Sequence, residues 1–324
     1  MLRPLISVVV IAYNRKEYIL EAVKSALNQT LEKDLYEVMV IKNFADPTID
    51  KFLDKNGIIN INSDNYSLSG KIIESSILAS GEFICFLEDD DLWSSGKLKA
   101  FTYLLKNYHD LDFYHNNFFY FRFGSVKFSQ SLKKGEKKYL TEVKAKDAKL
   151  SFSEFNKLLN GHSIYNLSSM IVRRELLLSQ LDIFANFGND FVDGLIFYIS
   201  VIFGRILLMD QRKFTAIRVH KGNRSGMDIG TGQKEYVKHF TSLSGRIGSK
   251  IIHKNFELLL SRIELDSKIK DLHLGLSSII REFVIYLKRS LSCRRAPDFD
   301  MIIKFFFRLL GKKTLILLMR NYHS

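Results

Sequence analysis

The sequence predicts an α/β fold: a Rossmann-like, mostly parallel sheet flanked by helices, with a C-terminal helical appendage. Three observations carry this expectation. A nearly continuous β-branched run, Ile6 to Ala12, has the pattern of a strand buried on both faces of a parallel sheet. Strand-like and helix-like stretches then alternate through the first hundred residues, a spacing that requires crossover connections. Beyond about Gln233 the apolar period becomes purely helical.

Taken in order, the first strand is followed by a helix over about Lys16 to Gln29, where Ile19, Ala22, Val23, Ala26 and Leu27 fall on one stripe. Val38 to Ile41 reads as a second strand, Asp46 to Lys55 as a helix and Ile58 to Ile61 as a third strand. A helix from Ser69 to Ala79 ends at Gly81, and Phe83 to Leu87 is a fourth strand. Residues 126 to 149 are polar and Lys-rich without a sustained period, and read as a loop. After them come a strand at Ser168 to Val172, a helix from Arg173 to about Leu181, a helix from Phe191 to Phe203 and a strand at Arg205 to Met209. Ile251 to Ile263, Leu272 to Leu291 and Met301 to Leu310 are the clearest helical stretches of the tail.

Composition narrows the function classes. With 46% hydrophobic residues in a 324-residue chain there is enough apolar material for one large or two modest cores. Two cysteines, Cys85 and Cys293, give neither a disulfide framework nor a set of soft metal ligands, which points to a reducing, cytoplasmic setting. The N-terminal apolar stretch lacks the length of a signal peptide, and no apolar run of membrane-spanning length occurs. The net charge of +13 is concentrated late: residues 241 to 324 hold 16 Lys and Arg against 7 Asp and Glu. Basic helices of this kind suit the anionic cytoplasmic face of a membrane, and equally suit packing on their own domain or in a homodimer. Exposed aromatics on a recognised nucleic-acid module are not evident, so no nucleic-acid partner is expected.

The strongest chemical signal is Phe86-Leu87-Glu88-Asp89-Asp90-Asp91-Leu92-Trp93, four successive carboxylates at the end of a buried strand. Like charges packed this closely repel, and a divalent cation with oxygen ligands, Mg²⁺ or Mn²⁺, would relieve them. The alternative is a solvated acidic turn that caps the next helix through Asp91.

Ser7-Val8-Val9-Val10-Ile11-Ala12-Tyr13-Asn14-Arg15, Ala26-Leu27-Asn28-Gln29-Thr30, Ala79-Ser80-Gly81-Glu82-Phe83 and the acidic cluster followed by Lys97-Leu98 together resemble the family 2 glycosyltransferases. The resemblance is close over residues 5 to 100 and weaker to about 226. It implies the glycosyltransferase A fold, with a catalytic domain over 1–232 (a nucleotide-binding half, 1–100, and an acceptor half, 101–232) and a basic helical region over 233–324. It further implies metal ligation by Asp90 and Glu88, the latter standing where many members carry Asp. Asp89 falls beside the donor ribose, Ala12, Tyr13 and Asn14 on the loop bordering the nucleotide, and Asn43 where an Asp commonly meets the base. Lys42 and Phe44 around Asn43 depart from the family pattern, which bears on the identity of the base.

Asp193-Gly194-Leu195, Gly204-Arg205 and Ile217-Arg218-Val219-His220-Lys221-Gly222-Asn223-Arg224-Ser225 are similar to the family's later segment, with Ile217 in place of Tyr. An inverting transfer needs a carboxylate base for the acceptor hydroxyl. Asp193 is the first candidate and Asp190 the second, against the alternative that both only cap the helix they precede. Arg218, His220 and Arg224 are candidate diphosphate contacts. The expected activity is transfer of a sugar from a nucleotide-sugar donor to a glycan or lipid-linked acceptor. Its rivals are a nucleotidyltransferase, disfavoured because Tyr13-Asn14-Arg15-Lys16-Glu17 has no Gly, and a non-catalytic binding subunit, disfavoured by the intact acidic cluster.

Overall fold

The computed structural model describes residues 3–124, 126–128, 140–144, 166–185, 192–220 and 276–292, with isolated positions between 241 and 305. The chain divides into two compact units, residues 1–221 and 222–324. The expected boundary after 232 lies outside the described residues.

The first unit opens with β1 (Ile6–Ile11), all six side chains of which are buried. Burial on both faces is what its uninterrupted β-branched run requires. Helix α1 (Ile19–Leu27) turns Ile19, Ala22, Val23 and Ala26 inward. It starts at Ile19, the first residue of the apolar stripe and three residues later than the expected span, because residues 12–18 are used as a loop at the strand's carboxyl end. Then follow β2 (Tyr36–Lys42), α2 (Pro47–Lys55), β3 (Ile59–Asn62), α3 (Leu68–Leu78) and β4 (Phe83–Glu88). Asp46 caps α2 by accepting from the Thr48 and Ile49 N–H groups, and Pro47 occupies the first turn, where its missing N–H costs nothing. Gly81, between α3 and β4, has no room for a side chain: a Cβ there would lie 2.5 Å from the Ser7 nitrogen and 2.7 Å from the Ile6 carbonyl carbon.

The rest of the unit comprises β5 (Leu92–Trp93), α4 (Lys97–Leu105), β6 (Leu111–Phe121), β7 (Leu140–Lys144), β8 (Met170–Arg173), α5 (Arg174–Leu178), α6 (Leu181–Ala185), α7 (Val192–Phe203) and β9 (Ile206–Arg218). Among the described residues nine strands form one sheet in the order β3-β2-β1-β4-β8-β6-β9-β5, with β7 also on β9. Strands β3, β2, β1 and β4 run parallel, as do β6 and β9, while β8, β5 and β7 are antiparallel to their partners.

Two sequence expectations are corrected here, and one strand was not expected. The Lys-rich stretch 126–149 contains β7, whose pairing with β9 supplies the order its own composition lacks. The strand expected at Arg205 to Met209 runs on to Arg218, its polar residues being tolerated because they pair along β6. Strand β6 itself gave no recognised signal, since His115, Asn116 and Asn117 interrupt its apolar run, yet His115 and Asn116 are buried.

In the second unit the described helix is α8 (Leu276–Ser292), which buries Ile279, Glu282, Tyr286 and Ser290. Glu282 pairs with Lys268, and Arg289 with Glu257. Among the described residues no helix is long and apolar enough to cross a membrane.

Candidate active site

The sheet order creates the site. From β1 the chain builds outward to β2 and β3, then returns to place β4 on the other side of β1, with Ile11 opposite Glu88. The connections at the carboxyl ends of β1 and β4 therefore diverge, leaving a crevice where α/β sheets bind ligands. Two loops meet there, residues 12–18 after β1 and 89–91 after β4.

The Tyr13 N–H donates to Asp89 Oδ2 at 3.1 Å. Arg15 spans two carboxylates, with Nη2 2.5 Å from Asp89 Oδ1 and Nη1 2.7 Å from Asp90 Oδ2. The end of β9 closes the arrangement. The Arg218 N–H donates to Asp91 Oδ1 at 3.1 Å, its Nε to the Asp90 carbonyl at 2.9 Å and its Nη2 to Glu21 at 2.6 Å. His220 Nε2 lies 2.9 Å from Asp90 Oδ2 and 3.4 Å from Arg15 Nη1.

This is an under-neutralised acidic centre. Asp89, Asp90 and Asp91 are each 5% exposed or less. Burial pushes the Asp89 carboxyl up to about 6 even though Arg15 opposes the shift. Burial, reinforced by the neighbouring Asp90 charge, pushes Asp91 up to about 7. Glu88 is held well above the usual carboxylate range by burial and then by the charges of Asp91, Asp90, Asp193 and Asp89. Carboxylates in these surroundings favour either a proton or an added cation.

Asp193 stands in the first turn of α7, near enough for its charge to act on Glu88. Its Oδ1 accepts from the Gly194 N–H at 2.8 Å and its Oδ2 from the Asn166 N–H at 3.1 Å. Burial raises Asp193 to about 6, partly offset by these two N–H groups. Asn166, with a positive φ of 71°, thus bridges the two acidic groups, because its Nδ2 lies 3.5 Å from Asp91 Oδ2. Behind it, Ser168 ties the turn down. Its Oγ accepts from the Glu88 N–H at 2.9 Å, and its carbonyl accepts from Lys97 Nζ at 2.6 Å, Trp93 Nε1 at 2.8 Å and Thr215 Oγ1 at 3.1 Å. Lys97 is fully buried, which lowers its ammonium to about 8.

The remaining expected donor-side residues cluster on the β2 side of the crevice. Lys71, buried on α3, donates to the Ala12 carbonyl at 2.5 Å, lies 3.3 Å from Asn43 Oδ1 and sits 4.0 Å over the Tyr13 ring. Asn14 is exposed in the same loop. Lys42 faces away from this group, buried against Asp50 at 2.8 Å, the Phe44 carbonyl at 3.0 Å and Asn62. Asp190 and Arg224 lie outside the described residues.

Two points depart from the sequence reading. Asp91 caps no helix: α4 begins at Lys97 with Gly96 as its N-cap, and Asp91 instead receives the Arg218 N–H. Arg205, grouped by sequence with Arg218, lies at the opposite end of β9, bound to Asp112. Arg15, Lys71, Asn166 and Ser168 were not singled out. The one available signal among them was Lys71, a lysine on the otherwise uncharged inner stripe of α3 with Ser75 and Ile72. Among the described residues no set of three or more His, Cys, Asp or Glu side chains is grouped to hold a metal by itself.

The comparisons with known proteins agree with this architecture. The model of glycosyl transferase family 2 matches residues 7–179. The crystal structure of S. aureus TarS 1-349 in complex with UDP-GlcNAc is similar over 91% of this chain and 82% of that one, at 17% identity and a TM-score of 0.57. The mannosyltransferase PcManGT from Pyrobaculum calidifontis, in complex with GDP-Man and Mn²⁺, is similar over 98% of this chain and 86% of that one, at 13% identity and a TM-score of 0.53. No curated protein sequence matches. The two structural likenesses establish the glycosyltransferase A fold, and the family match over more than half of the chain establishes that this protein belongs to glycosyl transferase family 2 and is a glycosyltransferase.

Proposed function

We propose that the protein is a metal-dependent, inverting glycosyltransferase that moves a sugar from a nucleotide-sugar donor to a glycan or lipid-linked acceptor. The observation that carries the reading is the meeting of the β1 loop, the acidic end of β4 and Asp193 at one crevice. In support, TarS and PcManGT were each solved with a nucleotide sugar, the latter with Mn²⁺ as well.

The donor set suits a hard divalent cation. It is made of carboxylate oxygens, and the single guanidinium shared by Asp89 and Asp90 counters only part of its charge. Asp90 and Glu88 would supply one or two protein ligands to Mg²⁺ or Mn²⁺, which commonly completes its shell with phosphate oxygens and water. When bound, the ion supplies charge neutralisation on the departing diphosphate.

The chain's own residues do the rest. Asp89, fixed by the Tyr13 N–H, borders the ribose, Ala12, Tyr13 and Asn14 border the nucleotide and Asn43 meets the base, with Lys71 holding the Ala12 carbonyl in place. His220, beside Asp90, is the contact for the diphosphate. Arg218, tied to Glu21 and the Asp90 carbonyl, acts on the same group by fixing the acidic loop. Asp193 accepts the acceptor hydroxyl's proton as that oxygen bonds to the anomeric carbon and the carbon–phosphate-oxygen bond breaks on the opposite face. Its raised proton affinity suits a base operating near neutral pH. The basic C-terminal region would favour an acceptor held at an anionic membrane surface.

The test is calorimetric binding of UDP-, GDP- and dTDP-sugars with Mn²⁺ or Mg²⁺, for the wild-type chain and for Asp90→Asn. One donor class should bind only with metal, and the variant should weaken it about a hundredfold or more. Failure of every donor with both metals overturns the reading and favours a non-catalytic binding subunit.

A further inference from the structure

Arg15 belongs to the loop after β1, yet its side chain ends on the loop after β4. Its two Nη atoms take different carboxylates, 2.5 Å to Asp89 and 2.7 Å to Asp90. The Asp89 and Asp90 side chains are 1% and 7% exposed, whereas that of Arg15 is 32% exposed. The guanidinium therefore approaches the buried pair from the solvent side. Asp90 Oδ2, which Arg15 contacts, is also 2.9 Å from His220 Nε2. Asp90, the leading candidate metal ligand, is thus already engaged by a positive side chain of the same protein. The backbone of Arg15 is anchored, its N–H donating to the Tyr13 carbonyl at 2.7 Å. Its flexible stem can still swing the charged end from one anionic partner to another.

We propose that Arg15 is the resident counter-cation of the donor site: it holds Asp89 and Asp90 while the site is empty and gives up that place to the divalent metal as the donor diphosphate arrives. The proposal rests on the metal-dependent reading above and adds the residue that links metal to donor. A metal arriving alone must compete with a guanidinium already bonded to both carboxylates. A metal arriving with a diphosphate meets a different situation, because phosphate oxygens offer Arg15 a bidentate partner in exchange. Metal and nucleoside diphosphate then bind cooperatively, each raising the other's affinity by the same factor. The pair of carboxylates is never left without a cation, which suits two ionised side chains in a buried setting.

The experiment compares the full-length wild-type chain with Arg15→Gln and Arg15→Lys. Each is titrated with Mn²⁺ alone and with Mn²⁺ in the presence of UDP or GDP, and thermal melting verifies that each variant is folded. Arg15→Gln should bind Mn²⁺ alone about tenfold more tightly than wild type, and the gain on adding nucleoside diphosphate should shrink. Arg15→Lys keeps the charge but loses the two-pronged reach, so it should fall between the two, and it carries the test by itself if Arg15→Gln does not fold. Equal affinity of all three for Mn²⁺ alone overturns the exchange while leaving metal dependence standing. Binding of nucleotide without any binding of Mn²⁺, in wild type and variants alike, overturns the metal-dependent reading and the exchange with it.

Discussion

The two ends of the sheet carry similar residue types and use them in opposite ways. At the amino ends of β4, β6 and β9, Arg173 bonds to Asp112 at 2.7 Å, to the His109 and Leu111 carbonyls, and to Glu82. Arg205 bonds to Asp112 through its N–H, Nε and Nη2, and to Asp110 at 2.6 Å. Burial works against the Asp112 charge, yet these guanidinium contacts hold its carboxyl below the usual range. At the carboxyl ends, Glu88 to Asp91 and Asp193 crowd together, and Glu88, Asp89, Asp91 and Asp193 are all pushed up. A rim whose charges are matched by its own side chains maintains structure. A rim left with surplus negative charge is completed by something the chain does not supply, and that is where chemistry is expected.

The sharpest way to break this contrast is at Asp193. Asp193→Asn should lower kcat about 10²- to 10⁴-fold with little change in the donor KM and no loss of thermal stability, measured by initial rates and melting on the same preparations. Because the base works only when ionised, wild-type kcat should fall about tenfold per unit below pH 6. A variant as active as wild type would return Asp193 to the role of a helix-start residue.

At the opposite rim the expectation reverses. Asp112→Ala leaves Arg173 and Arg205 without their shared carboxylate and should cost about 3 kcal/mol of stability, read from denaturant unfolding. The kcat of the folded fraction should stay within about twofold, since the change lies at the far end of the sheet. A large loss of kcat without loss of stability would show that the two rims are not separable.

The smallest effect is on the pH dependence of stability without metal or donor. Asp89 and Asp91 have folded values of about 6 and about 7 against 3.8 for an ordinary Asp. Their contribution is therefore full below about pH 4 and lost as the pH rises through 6 to 7. Asp112 is shifted down, so its contribution is present above the ordinary value and lost as the pH falls through its folded one. Asp91→Asn should flatten the decline between about pH 4 and 7, and Asp112→Ala should leave that decline in place. Melting curves across this range, in chelator, decide the matter.

Local pattern was enough for much of the molecule. The β-branched run of β1, the inner stripe of α1 and the alternation of strand-like and helix-like stretches are short-range signals, and they placed the parallel half of the sheet to within a few residues. The four carboxylates at the end of β4 are adjacent in sequence, so their crowding was visible before any fold was known. Strand β6 and the length of β9 were not legible, because His115, Asn116 and Asp210 look like surface residues until their strand partners cover them. Tertiary structure alone decided which charges meet: that Arg15 crosses to Asp89 and Asp90, that Arg205 serves the far rim while Arg218 serves the near one, and that Asp91 caps no helix. These are contacts between residues 74 to 128 positions apart. The physical reason is range: hydrophobic period and adjacent charge are written within a few residues, whereas neutralisation depends on which strand ends the sheet order makes neighbours.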